Sequence, residues 1–300
     1  MKSSEGFAFV RPGLHLYYRI LGEGPETVVV PNANWLADLL HPLAEGRRLI
    51  LYDPRSRGRS SAVTDGRHLS VEEDVADLEA LRRYFGLERM ALVGSSYHAA
   101  VTALYALENP ERVSRMLLVS PITPKIPGEW TQETPSSEIL IHPPGIPRLE
   151  EMQREGIDQE DPVAYCRAWF LYFLLPAMMG ELGAASRFPL DDVCSFPNEW
   201  PQRTMPLYFE HIIPKMEGWD FRPRLSSLEM PLLVLQGTDD VVPLEASREW
   251  AAHAGNARFL HIQGSGHHPY IERPQEFFPA AEAFLRGGWP QAAEIVRYAA

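Results

Sequence analysis

Short apolar runs alternate with helix-like segments in two separate stretches of this chain, and between them the alternation stops. In the first stretch Leu14–Arg19, Thr27–Val30 and Arg48–Tyr52 read as strands. Val71, Val75, Leu78, Leu81 and Phe85 then recur at helical spacing. Ser70 precedes that segment with Glu73 three residues on, a capping box, and Gly86 closes it as a helix C′ residue. Met90–Val93 reads as a strand, Tyr97–Glu108 as a helix and Val113–Val119 as a strand. The second stretch opens at Pro231 with strand Leu232–Gln236, helix Leu244–Ala254, strand Arg258–Ile262 and helix Gln275–Leu285. Strands separated by helices predict a mostly parallel sheet covered on both faces.

From about Pro121 to Arg224 the chain is rich in Pro, Trp, Phe and Tyr and shows no strand pattern. The expectation is one α/β core, residues 1–120 and 218–300, carrying a helical insertion over 121–217. Trp169–Met179 is the most apolar piece of the insertion. It reads as a buried helix, and it lines a substrate pocket if it faces a site.

Charge and cysteine content narrow the function classes. The 300 residues carry 28 Lys and Arg against 40 Asp and Glu, a net charge of -12. That balance argues against a nucleic-acid partner, which needs a basic patch. Hydrophobic content of 45% and charged content of 23% exclude wholesale disorder. Ala168–Met179, broken by Pro176, is short of the about 20 residues that cross a bilayer. Met1–Val10 lacks the apolar core of a secretion signal. Cys166 and Cys194 make no disulfide framework, so reduced thiols and a cytoplasmic location are expected, with no membrane partner. The ten His show no H-E-x-x-H or Cys/His spacing, and no G-x-G-x-x-G is present. No metal and no cofactor are expected. The expected partner is a small-molecule substrate, and the oligomeric state is not legible.

A serine becomes a nucleophile only beside a base that a third group orients. Gly94-Ser95-Ser96 follows one strand and precedes a helix, the setting of a nucleophile elbow. The second glycine of G-x-S-x-G is replaced by His98. Gly58-Arg59-Ser60 also matches G-x-S but lacks the strand–turn–helix setting. Gly237-Thr238-Asp239-Asp240 follows the strand Leu232–Gln236, and Gly266-His267-His268 follows Arg258–Ile262. Each polar group falls just past the C-terminal end of a parallel strand, where open α/β sheets bind ligands. A serine, an acid and a histidine thus occur in that chain order.

Over about residues 7 to 288 the sequence resembles the α/β-hydrolase family, closest to its proline iminopeptidase-like and capped-esterase branch. Asp53-Pro54-Arg55-Ser56-Arg57-Gly58-Arg59-Ser60 resembles that branch's turn after the fourth strand. Asn109-Pro110-Glu111-Arg112-Val113 resembles its N-P-E-R-V link. Gly218-Trp219-Asp220 and Pro231-Leu232-Leu233-Val234 resemble the return from cap to core. Gly266-His267 with Glu272, Pro274 and Phe277 resembles the loop and helix around the catalytic histidine. The resemblance implies an α/β-hydrolase fold whose helical cap is inserted after the sixth strand. It implies Ser96 as nucleophile, His267 as general base and then acid, and Asp240 as the orienting acid, with Asp239 the fallback. Asp53–Ser60 is read as scaffold with no catalytic role, and His268 as a loop neighbour.

The oxyanion hole should use the Tyr97 amide and a second amide from the loop after the third strand. The family usually shows His-Gly there, and this chain reads Pro31-Asn32-Ala33-Asn34-Trp35. Ala33 is the expected second donor and Asn34 the alternative. Trp35, Trp169, Phe170, Phe173, Leu174 and Met178 are the expected apolar wall. Glu210, a cap carboxylate beside Phe209 and His211, is the candidate for holding a substrate amino group. The reading is a serine hydrolase cleaving a carboxylic ester of a small apolar or aromatic substrate. The alternatives are an iminopeptidase-like aminopeptidase or amidase, a C–C bond hydrolase, or a non-catalytic ligand binder.

Overall fold

The computed structural model describes residues 2–126, 145–180 and 182–297. Met1, 127–144, 181 and 298–300, which fall within the expected core and insertion, lie outside the described residues. The strands are β1 (Ser3–Arg11), β2 (Leu14–Leu21), β3 (Thr27–Pro31), β4 (Arg48–Tyr52), β5 (Met90–Ser95), β6 (Val113–Val119), β7 (Leu232–Gly237) and β8 (Ala257–Ile262). They form one sheet in the order β1-β2-β4-β3-β5-β6-β7-β8. β1 pairs antiparallel with β2, and β2 with β4; every other pair is parallel.

Successive strand side chains point to opposite faces, and the two cores divide accordingly. Val28, Val30, Leu49, Leu51, Val93, Leu117, Leu233 and Leu235 face one side, against Phe277, Ala281 and Phe284 of α4 (Pro274–Leu285). Val29, Ile50, Leu92, Met116, Leu118 and Val234 face the other. There they meet Val75, Leu78 and Leu81 of α1 (Val71–Tyr84) and Val101 and Leu104 of α2 (Tyr97–Glu108). Trp250 of α3 (Leu244–His253) completes that side. Strands buried on both faces explain why these apolar runs are nearly unbroken.

The ends of α1 follow the sequence signals. The Ser70 hydroxyl accepts from the Glu73 amide at 3.3 Å, and Gly86 beyond the helix takes a positive φ of 63°. Glu73 does not reach back to complete the box. Its carboxylate goes to Arg11, at 2.7 Å, and Arg55, at 2.8 Å.

β1 has no counterpart among the expected strands. Its large residues lie on the solvent side: Phe7 and Phe9 are exposed, while Ala8 between them is fully buried. Phe7 stacks edge-on against His15 and Tyr17 of β2. The apolar bulk therefore marks the wrong face and hides the strand.

Between β6 and β7 the described residues form helices and turns. The apolar stripe is not one regular helix. Pro162–Trp169 is α-helical, Phe170–Leu174 is a π-helix, and Leu175–Met178 returns to α. Pro176 has no N–H for the α ladder, and the wider π turn lies just ahead of it. A second π segment, Leu207–Ile212, follows Pro206.

Cys166 and Cys194 are joined in a disulfide, with their Cα atoms 5.7 Å apart. This corrects the expectation of reduced thiols. One pair is too few for a disulfide framework, but the helices Pro162–Trp169 and Leu190–Cys194 pack together and bring the two sulfurs into contact, a proximity that spacing does not reveal. Cysteine count therefore no longer argues for a reducing compartment. No helix among the described residues is long and apolar enough to cross a membrane.

Candidate active site

Ser96 stands at the sharp turn from β5 into α2, with φ 53° and ψ -126°. A non-glycine residue in this region is strained and persists only where its surroundings fix it. Its amide donates to the Val119 carbonyl at 3.0 Å, which ties the turn to the neighbouring strand. The close approach at the turn is made at Gly94. A Cβ there would lie 2.3 Å from Thr102 Oγ1, 2.7 Å from the His98 carbonyl and 2.9 Å from Ala99 Cα. The position of His98 does not need to be small, because its side chain has somewhere to go. The ring packs edge-on against Tyr97, 5.2 Å between centroids, and lines the cavity above Ser96. Burial, and then the charge of Arg57, push its pKa down to about 3, so the ring is neutral.

His267 leaves β8 through a loop built on close backbone contacts. A Cβ on Gly237 would lie 2.0 Å from the Ser265 carbonyl. One on Gly266 would lie 2.4 Å from the Gly180 amide nitrogen and 2.5 Å from the Met178 carbonyl. The His267 amide donates to that Met178 carbonyl at 2.7 Å, so the insertion holds the backbone of this loop. Glu272 accepts from the Gly266 amide at 3.0 Å and the His268 amide at 3.3 Å.

The side chain of His267 is buried, and its Nδ1 lies 2.7 Å from Asp240 Oδ1. Asp240 also accepts from the Val242 amide at 3.0 Å. Asp239 is exposed and its carboxylate meets Thr238 instead. With Nδ1 donating to Asp240, Nε2 of His267 is the nitrogen left for chemistry, and it has no partner among the described residues. Burial works against the charged ring, but the charge and hydrogen bond of Asp240, with Glu272 behind, prevail and raise the His267 pKa. His268 pairs through Nδ1 with the Tyr270 hydroxyl at 2.9 Å. Burial, and then His267, hold its pKa well down.

A cavity of about 320 Å³ opens over Ser96 and His267. Trp35, Trp169, Phe170, Phe173, Leu174 and Met178 line it, as do Tyr208, Phe209 and Ile213. Trp35 stacks edge-on with Phe170 and Phe188. Glu210 is not brought to it. This residue sits on the π segment Leu207–Ile212, is exposed and does not line the cavity, whereas Tyr208 and the exposed Phe209 before it do. The carboxylate that does reach the cavity wall is Glu199, on the short turn Pro197–Glu199. It is buried and accepts from the Trp35 indole at 2.8 Å and the Gly58 amide at 2.6 Å. Nothing in the run Pro197-Asn198-Glu199-Trp200 marked it in the sequence.

Of the two amides expected to serve beside Tyr97, that of Asn34 is taken: it donates to Asp53 Oδ1 at 2.7 Å. No acceptor for the Ala33 amide is present among the described residues. The Asn34 side-chain nitrogen is buried and unpartnered. Asn32 adopts the left-handed conformation, φ 77°, that lets the chain turn here without glycine. The polar turn after β4 is held by buried ion pairs. Arg55 grips Asp77 at 2.6 and 2.7 Å, and Arg57 grips Asp74 at 2.9 Å. No group of three or more metal-ligating side chains is present among the described residues.

A mostly parallel sheet with a serine elbow after β5, a carboxylate after β7 and a histidine after β8 is the arrangement of an α/β-hydrolase. The sequence profile of the alpha/beta hydrolase family matches residues 28–280, and the chain belongs to that family of hydrolases. It is 23% identical to a proline iminopeptidase of Lactobacillus helveticus, across 91% of this chain and 95% of that protein. It is 26% identical to a bifunctional esterase/perhydrolase of Acinetobacter calcoaceticus, across 87% and 92%. The crystal structure of an esterase from Rhodococcus superposes with a TM-score of 0.71 at 25% identity, covering 95% of this chain and 99% of that one.

Proposed function

We propose that this chain is a serine hydrolase that cleaves a carboxylic ester carrying a small apolar or aromatic group, with Ser96, His267 and Asp240 as its triad. The observation that carries the reading is that His267, paired with the buried Asp240, lines the same cavity as a serine on a strained elbow. His267 Nε2 takes the Ser96 hydroxyl proton as Oγ attacks the ester carbonyl. The amides of Tyr97 and Ala33 receive the oxyanion. His267 returns the proton to the departing alkoxide, and the acyl group stays on Ser96 until water repeats the cycle. Asp240 holds the imidazole in the tautomer with Nε2 free and stabilises its cation.

The inserted helices act as a cap, and their aromatic wall favours an apolar group. An ester is favoured over an N-terminal peptide bond by the state of the cavity carboxylate. Glu199 is the one carboxylate lining the cavity among the described residues, and both its oxygens already accept N–H groups. An amino group would have to displace one of them.

The test is paired hydrolysis of p-nitrophenyl esters of increasing chain length and of prolyl- and alanyl-naphthylamide by wild type and Ser96→Ala. Ester turnover is expected, lost by roughly a thousandfold or more in the variant. Turnover confined to the naphthylamides would overturn the ester reading in favour of an aminopeptidase. Ester turnover that survives in Ser96→Ala would remove Ser96 from the mechanism.

A further inference from the structure

Two buried carboxylates bridge the same two core segments from opposite sides. One segment is the turn Ala33–Leu36 after β3, which carries the proposed oxyanion amide. The other is the polar turn after β4. From the core, Asp53 accepts from the Asn34 amide at 2.7 Å and the Arg59 amide at 3.0 Å. From the insertion, Glu199 accepts from the Trp35 indole at 2.8 Å and the Gly58 amide at 2.6 Å. The four donors are neighbours in pairs: Asn34 with Trp35, and Gly58 with Arg59. Asn198 strengthens the second grip by donating its carboxamide to the Gly58 and Ser60 carbonyls at 3.1 and 3.0 Å.

We propose that Glu199 is a positioning residue of the insertion that holds the oxyanion loop in its working geometry through the Trp35 indole. The loop needs such a hold. Asn32 stands in the left-handed region, which other residues must enforce. The inner carboxylate fixes the loop's backbone, and the outer one fixes the Trp35 side chain where it lines the cavity. Glu199 reaches the loop only when the insertion is seated on the core, so oxyanion stabilisation is completed by the insertion. This role rests on the reading of Ser96 as nucleophile and of the 33–36 turn as oxyanion loop.

The test uses purified full-length wild type, Glu199→Gln, Trp35→Phe and the double variant. Gln keeps the size but cannot accept two N–H groups in the same way. Phe keeps a ring but lacks the donor. The readouts are kcat and KM on a p-nitrophenyl ester and the rate at which a fluorophosphonate labels Ser96. Each single variant is expected to lower kcat and the labelling rate roughly tenfold or more, with a smaller change in KM. The double variant is expected to be no worse than the poorer single variant, because both break one contact. Labelling within about twofold of wild type in Glu199→Gln, or losses that simply multiply, overturns the role. So does a loss seen only in KM for substrates with a free amino group, which would make Glu199 a substrate contact. If Glu199→Gln does not fold, Trp35→Phe decides alone: wild-type labelling sinks the proposal. A wild type that the fluorophosphonate does not label overturns the serine-hydrolase reading itself, an outcome distinct from a labelled wild type with unaffected variants.

Discussion

At the scale of the residue, the site is defined by which protons its groups keep. The raised pKa of His267 places its loss of a proton above the usual histidine value of about 6.5. A general base must be neutral, so kcat/KM is expected to rise with pH along a limb whose midpoint lies above that value. Asp240→Asn removes the charge and hydrogen bond that do most to raise the pKa, and leaves only Glu272 against burial, which lowers it. The limb should then move to lower pH while the plateau falls by roughly a thousandfold or more, as the ring loses its tautomer. A limb that stays in place would mean another group titrates. His98 supplies the contrast. With its pKa down at about 3 it is neutral throughout the working range, so His98→Ala should leave the limb where it is. A pH–rate profile of the three proteins reads both outcomes.

At the scale of the element, the insertion is tied to itself by Cys166–Cys194. Replacing both cysteines by Ser should destabilise the chain by about 3 kcal/mol. Thiol reductant should lower the melting temperature of the wild type toward that of the variant and leave the variant unchanged. Equal melting with and without reductant would mean that the bridge carries no stability. This pairing was invisible in the sequence, because spacing along the chain says nothing of which short helices lie side by side. The elements of the core were far more legible. The helix Tyr97–Glu108 and the strands Arg48–Tyr52 and Val113–Val119 occur with the expected bounds, and the other expected strands and helices of the core differ by a residue or two. Their signals are local: apolar runs buried on two faces, a capping serine, a closing glycine. β1 failed because its bulky residues face outward. Glu199 failed because a buried carboxylate looks, in sequence, like any exposed one. Glu210 drew notice through its aromatic neighbour, yet on a helix adjacent residues point apart, so Phe209 at the cavity carries no carboxylate with it.

At the scale of the whole molecule, buried groups pull the pH dependence of stability in opposite senses. Asp53 is raised to about 7, by burial first, against the pull of the Arg59 and Asn34 amides. The folded chain therefore keeps a proton that the unfolded chain releases near pH ~4. The stability this contributes is complete below that pH and is lost as pH rises to about 7. His267, also raised, acts in the same sense as pH climbs through its folded value. Carboxylates held low, such as Glu79 at about 2, lose their contribution only on the acid side, below about pH 4.5. His98, held at about 3, and His268, held well down, pull the other way, because their contribution grows as pH rises through the unfolded value of about 6.5. Asp53 is isolated by its own variant: the melting-temperature difference between wild type and Asp53→Asn is expected to fall from about pH 5.5 to pH 8, on the order of 5 °C. A difference that stays constant or climbs over that interval would show that Asp53 does not hold its proton in the folded chain.

The contact between the Met178 carbonyl and the His267 amide is made by main-chain atoms on both sides, and the chain there passes glycine against glycine at Gly180 and Gly266. Away from the two glycines, where any Cβ would crowd the backbone, exchanging a side chain does not remove either partner. In recombination between relatives this makes the stretch around Met178–Gly180 and the loop around Gly266 a single heritable unit. A chimera that takes its helices from one parent and its histidine loop from another inherits two halves of a fitting cut to different patterns. Crossovers placed outside both halves keep the fitting whole and leave the aromatic wall free to vary.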